Sequence, residues 1–312
     1  MSFEKLNDLG RQKKPFLFIS DFKAKNLIVI PLDELVDSDI EFKIDENYIK
    51  KNHTHKLKIN PIPYDEYKTK FDKVIEEIKS GNTYLLNLTT QTKIKSKLDL
   101  KAIYKIVNAP YKIRYKNDFV SYSPEKFISI YDNKIHTFPM KGTIDASIDD
   151  AKNKILNNKK EMAEHVMVVD LLRNDLNMVS CNVKVKKFRY IKKIDAGQKK
   201  LLQVSSHICG DLQENWHENI GNILQKLLPA GSISGTPKKS TLDIIGDVEN
   251  YNREFYSGIF GVYDGERLDS GVMIRFIQNT KTSLVYKSGG GITIDSNPQK
   301  EYKEMIDKIY LP

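Results

Sequence analysis

Period-two alternation of apolar residues recurs along the whole chain, and helical spacing interrupts it at irregular intervals. Residues 83–94 show it best. Leu86, Leu88, Thr90 and Thr92 fall on one side and Leu85, Asn87 and Thr89 on the other, the pattern of a strand. Residues 15–19 and 27–30 read as buried strands, the second stopped by Pro31; strands are also expected up to Tyr131 and over 183–191, 201–208, 271–277 and 284–286. Asp264-Gly265 between two strand-like runs predicts a hairpin. Tyr67, Phe71, Val74, Ile75 and Ile78 recur at helical spacing ahead of a stop at Gly81. Further helices are expected over 99–108, 147–176, 216–228 and 238–248, and from Pro298 onward. No regular strand–helix–strand rhythm exists, so the class expected is α+β with large antiparallel β-sheets.

A chain of 312 residues can bury a large core, as one domain or two intimate lobes. The expected division is a short N-terminal strand region, 1–60, and a unit over 61–312 that it joins compactly. The net charge of +9 raises the question of nucleic acid, but 43 of the 50 basic residues are Lys and only 7 are Arg. No Arg-rich stripe or basic run interleaved with aromatics is present, so no nucleic-acid partner is expected. The surplus lysine would help attract a small dianion. Cys181 and Cys209 lack the spacing of a metal knuckle or redox pair and read as small apolar residues. His53 and His55 would share one side of a strand, but no Cys or carboxylate cluster joins them to make a metal site. The polar opening carries no signal peptide, and no apolar run is long enough to span a bilayer. A cytoplasmic protein without a membrane partner is expected.

The stretch from His136 to Thr143 reads as the end of a strand entering a turn, with Ile128 and Ile130 before it and Lys141 between Met140 and Gly142. Alone, Lys141 is a solvated lysine at a loop tip. Its company changes that reading. Ser123-Pro124-Glu125 lies sixteen residues upstream of it. Downstream, Glu161 and Glu164 share one face of a helix that turns apolar beyond His165, marking where a buried helix meets a cleft. Residues 229–237 form a Gly-, Pro- and Ser-rich loop handing over to a helix, either a flexible connector or an anion site. Arg275 shares a strand face with Met273 and Ile277, Gly289-Gly290-Gly291 follow, and Glu301, Glu304 and Lys308 lie on one face of the last helix. Two carboxylate pairs, Glu161/Glu164 and Glu301/Glu304, can supply a hard cation such as Mg²⁺ with oxygen ligands.

This ordered set, running from Gly81 to Lys308, resembles the chorismate-utilising enzymes, and within them the branch of aminodeoxychorismate synthase component I. The resemblance implies two sheets packed face to face, helices outside and the active site in the cleft between them. It implies Glu125 as the general acid, kept protonated by burial, and Lys141 as a desolvated, neutral nucleophile. It implies Mg²⁺ held by Glu164, Glu301 and Glu304 with Glu161 alongside. Substrate carboxylates would be met by Tyr256, Arg275, Lys308 and backbone N–H groups of Gly289, Gly290 and Gly291. The reaction implied is attack at C2 of chorismate, loss of the 4-hydroxyl, and displacement of the lysine by ammonia at C4. Anthranilate-forming relatives carry Ala where Lys141 stands, so Lys141 selects 4-amination over the anthranilate synthase component I reaction or a non-catalytic chorismate-binding role. Ammonia would come from a partner glutamine amidotransferase subunit, in the 4-aminobenzoate branch of folate synthesis. Three positions depart from the family pattern: Leu85 stands where Gln, or in water-activating relatives Lys, is found, Gln203 where His is common, and Phe276 where Thr is usual.

Overall fold

A computed structural model describes residues 2–36, 38–45, 55–195, 200–280 and 282–312. His53 lies outside them. Among the described residues the strands form two sheets with every pairing antiparallel. The first sheet runs β10 (Met140–Asp145), β12 (Lys200–Asp211), β9 (Lys134–Thr137), β8 (Lys126–Tyr131), β15 (Leu268–Val272), β14 (Ile259–Tyr263), β1 (Phe16–Ser20) and β2 (Leu27–Pro31), with β11 (Cys181–Asp195) paired to β12. The second runs β13 (Gly235–Thr236), β5 (Leu85–Lys95), β17 (Leu284–Ile292), β16 (Phe276–Asn279), β7 (Phe119–Ser123), β6 (Tyr111–Tyr115) and β3 (Ile40–Ile44), with β4 (Lys58–Asn60) paired to β5. The helices are α1 (Glu4–Arg11), α2 (Tyr64–Lys79), α3 (Leu100–Ile106), α4 (Ala151–Leu156), α5 (Lys159–Asn177), α6 (Ile220–Leu227), α7 (Gly231–Ser234), α8 (Lys238–Glu249) and α9 (Pro298–Asp307).

Strand alternation sorts the core into layers. In β1, Leu17 and Ile19 enter a cluster with Tyr111, Ile113, Phe119 and Phe276 of the other sheet. Phe16 and Phe18 point the opposite way, toward Leu172 and Leu176 of α5 and Leu224 of α6. The outer face of the second sheet is covered in the same way: Leu86 and Leu88 pack against Tyr67 and Phe71 of α2, Ile244 of α8 and Met305 of α9. Burying each such side chain stabilises by about 1.5–3 kcal/mol, which fixes the helix–sheet–sheet–helix order. The expected α+β architecture of two face-to-face antiparallel sheets is what the chain adopts. The strands before residue 60 belong to both sheets, β1 pairing with β14 and β3 with β6.

Three local expectations are corrected. The helix expected over 147–176 is two, because Asn158 caps a new helix by accepting from Glu161 N at 3.1 Å. The Arg189 guanidinium donates to Ile155 O at 3.0 Å and Leu156 O at 2.7 Å, satisfying the carbonyls at the end of α4. The strand expected over 271–277 breaks after Val272, where the chain leaves the first sheet for the second, and Arg275 adopts φ +53° at that crossover. This conformation costs of order 1–3 kcal/mol in a non-glycine residue. Hydrogen bonds from Ser121 Oγ to Ile274 O (2.9 Å) and Tyr122 N to Arg275 O (3.2 Å) hold it. Residues 229–237 are no open loop, since they form the single turn α7 and the short β13. The strand expected over 284–286 runs on through the three glycines as β17, which pairs them with Thr89, Leu88 and Asn87 of β5.

Candidate active site

Lys141 sits in a β-bulge rather than the expected turn. Met140 pairs with Ser205 and Thr143 with Gln203, so Lys141 and Gly142 together oppose one residue of β12. Gly142 has φ +91°, and a Cβ there would lie 3.0 Å from Glu161 Oε2. Glycine thus serves both the bulge conformation and the close approach of α5. The bulge aims the Lys141 amine at that helix, with Nζ 2.8 Å from Glu164 Oε2, while Lys160 Nζ stands 3.6 Å from Oε1 of the same carboxylate. Burial disfavours the Lys141 ammonium, but Glu164, with Glu304 and Glu161 behind it, outweighs that and raises its pKa. The neutral amine expected from desolvation is therefore not the resting state. Lys141 rests as an ammonium in an ion pair.

Glu125 occupies the crossover from β7 to β8, beside the one that holds Arg275. Val272 N donates to Glu125 O at 3.1 Å, so the two crossovers are stitched together. The Glu125 carboxyl accepts from Ser232 Oγ of α7 at 2.9 Å. Burial raises its pKa against the opposing pull of Ser232, Arg275, Lys308 and Lys141. Glu125, Lys141, Glu164 and Gly291 line one cavity of about 100 Å³, with Leu85, Asn87, Met167, Ser232 and Thr293 among its other walls. A hollow of about 470 Å³ adjoins it and shares Glu164, Met167 and Thr293. Another groove, about 430 Å³, between the end of α5 and α6 contains none of the sequence-predicted residues.

Outside the cavity's lining, α9 brings Glu301 and Glu304 up to β17. A Cβ on Gly290 would lie 3.6 Å from Glu301 Oε2 and 3.7 Å from Lys308 Nζ, ordinary contact distances that place the charged face of α9 directly against β17. Lys308 Nζ bridges Glu304 Oε1 and Gly289 O, each at 2.8 Å. Burial and the neighbouring Glu304 raise the Glu301 pKa. Burial acts the same way on Glu304, but Lys308 prevails and lowers it. These are hard oxygen donors, and Glu161 Oε2 is buried without a hydrogen-bond partner, which fits a divalent cation. They are not drawn into a cage as they stand. Among the described residues no group of three or more His, Cys, Asp or Glu side chains is close enough to hold a metal, Glu164 turning to its lysines and Glu304 to Lys308.

The sequence profile of the chorismate binding enzymes matches residues 31–311. The chain belongs to this family. It is 47% identical to an "Uncharacterized PabA-like protein" of Haemophilus influenzae, over 99% of this chain and 95% of that protein. It is 31% identical to aminodeoxychorismate synthase component 1 of Bacillus subtilis, over 80% of this chain but only 55% of the relative. The fold matches that of the menaquinone-specific isochorismate synthase of Escherichia coli with a TM-score of 0.75 at 15% identity, covering 98% of this chain and 81% of that one.

Within this chorismate binding enzyme, the remaining predicted positions divide. Arg275 stands near the acid, and its Nε is buried without a partner, a donor left over for an anion. Neither Arg275 nor Tyr256 is among the cavity's lining residues; Tyr256 is buried between the sheets against Phe276, ring centroids 5.8 Å apart. Burial pushes its phenol up to about 12. Of the unusual residues, Leu85 lines the cavity, Gln203 faces Thr143 beside the bulge, and Phe276 stacks on Phe119 at 4.9 Å. Sequence reasoning missed Ser232 as a partner of the acid. Its only signal was the serine within Gly-Ser-Ile-Ser-Gly, a stretch that read as either a flexible connector or an anion site.

Proposed function

We propose that this chain aminates chorismate at C4, as component I of an aminodeoxychorismate synthase. One observation carries the reading: an amine, Lys141, and a carboxyl with a raised pKa, Glu125, line the same small cavity. Loss of an allylic hydroxyl needs a proton, and a carboxyl kept protonated by burial supplies it. A primary amine released from Glu164, its extra proton passed to solvent, attacks C2 of the ring while the 4-hydroxyl leaves as water with the proton of Glu125, which solvent later restores. Ammonia then adds at C4, and the lysine departs from C2 to restart the cycle. Arg275, with its spare Nε, and Lys308 would hold the substrate carboxylates. Gly289, Gly290 and Gly291 would allow their close approach, and Tyr256 would back Arg275 from the core. Glu161, Glu164, Glu301 and Glu304 would hold Mg²⁺. The bound ion would supply positive charge against a substrate carboxylate.

Ammonia would come from a separate glutamine amidotransferase subunit, and the product would feed 4-aminobenzoate and folate synthesis in the cytoplasm. Among the described residues no helix is long and apolar enough to cross a membrane. The test is incubation of the purified chain with chorismate, Mg²⁺ and ammonium, followed by chromatographic identification of products. A 4-amino product is expected. Anthranilate as the main product, or no consumption of chorismate, would overturn the reading.

A further inference from the structure

The acid Glu125 does not stand alone, and its partner is held unusually well. Ser232 belongs to α7, a single turn whose Ile233 carbonyl accepts from Arg253 Nη1 at 3.0 Å and Asn87 Nδ2 at 3.1 Å. Arg253 is locked in turn by the Glu249 carboxylate through bonds of 2.6 and 2.8 Å, and both side chains are only 1% exposed. Ser234 Oγ donates to Ala230 O at 2.9 Å and closes the turn on itself. Glu125 is pinned from the other side, its backbone N donating to Ser123 Oγ at 3.1 Å and its carbonyl accepting from Val272 N. Two rigid anchors therefore meet at a single contact, Ser232 Oγ to Glu125 Oε1.

A protonated carboxyl has two unlike oxygens, one carrying the hydrogen and one only accepting. We propose that Ser232 is a positioning residue for the acid: by donating to Oε1 it fixes that atom as the carbonyl oxygen and leaves the proton on Oε2. The inference rests on the reading of Glu125 as proton donor and adds which atom gives the proton and what keeps it there. Other groups facing Glu125 cannot do this. Arg275 from its crossover, Lys308 from the end of α9 and Lys141 from the bulge all act on it as charges. They favour ionisation without distinguishing one oxygen from the other. Among the described residues, the Ser232 hydroxyl is the group that hydrogen-bonds to one of them.

The deciding measurement is infrared difference titration of the full chain, with the Glu125 band assigned by its loss in Glu125→Gln. In Ser232→Ala the protonated C=O stretch should move to higher wavenumber, because its carbonyl oxygen has lost a donor. The Glu125 pKa should rise, because the lost bond favoured the charged form. In the amination assay the basic limb of kcat/KM should move to higher pH, and kcat should fall about ten- to a hundredfold as the acid loses its orientation. Ser232→Thr, which keeps the hydroxyl, should restore all of these. An unmoved band and pKa in Ser232→Ala would overturn the proposal whether or not the chain turns over chorismate. A band that shifts in Ser232→Ala, together with a wild-type chain that fails to aminate, would count against the reaction and leave the assignment of Ser232 standing.

Discussion

Lys141 Nζ and Glu164 Oε2 lie 2.8 Å apart across the gap between β10 and α5. The proposed nucleophile and a proposed metal ligand thus neutralise each other at rest, and each must let go of the other before either can act. Because Glu164 helps raise the Lys141 pKa, Glu164→Gln should lower it. Site-resolved acylation of Lys141 as a function of pH reads this directly, and an unchanged titration would show that the ion pair does not set the charge state.

Lys141→Ala should still bind chorismate while losing most 4-amination, by a few orders of magnitude if covalent catalysis carries the step. A small leak to a 2-amino product is expected from direct ammonia attack. Mass spectrometry of the peptide bearing Lys141, after quenching with chorismate and no ammonia, should find the adduct. An unmodified lysine together with near wild-type activity in Lys141→Ala would remove its covalent role.

Glu164→Gln and Glu304→Gln should each weaken Mg²⁺ and substrate binding together, since each discards charge facing both. Calorimetric titration of Mg²⁺ without substrate separates the two effects. Undiminished turnover of the wild-type chain in excess chelator would sink the metal assignment.

High ammonium should support activity of the chain alone, whereas glutamine should support it only with an amidotransferase subunit added. The check is paired assays with each nitrogen source, with and without that subunit. Glutamine use by the purified chain alone would show that no partner is needed.

Acid should destabilise the fold through a group outside the cavity's lining. His136 is 2% exposed, and burial, then His207 and then nearby lysines including Lys186 and Lys134, push its pKa down from 6.5 to about 4. A depressed folded pKa means that the unfolded chain binds the extra proton first. The stabilising contribution is complete above pH 6.5 and is lost as pH falls toward 4. His136→Phe should flatten the fall of melting temperature across that window, and an unaltered slope would exclude His136 as its source.

The layers were legible in the sequence because alternation is local: Leu17 and Ile19 against Phe16 and Phe18 state two faces without help from the rest of the chain. The sheet switch at Arg275 was not, because the alternation of 271–277 continues across the point where the strand changes partners. Nor could the three glycines reveal that they pair with β5, since glycine suits a loop and a crowded strand equally well. The candidate site residues came from an ordered family pattern, but their contacts did not. Ser232 and Glu125 are 107 positions apart, and only the fold brings them together. Lys141 was expected neutral because desolvation could be guessed, whereas the carboxylate of Glu164 that opposes it could not.

The stitched crossovers act as the spine of a book whose two pages are the sheets. Glu125 and Arg275 are bound into that spine, with Val272 N on Glu125 O and Tyr122 N on Arg275 O. Acid and guanidinium therefore keep their spacing when surface segments move, and lose it if one page slides over the other. The edge-to-face contact of Tyr111 in the second sheet with Phe260 in the first, ring centroids 6.4 Å apart and buried between the pages, resists such sliding. Loosening it would disturb proton delivery and carboxylate capture together, from a position that touches neither.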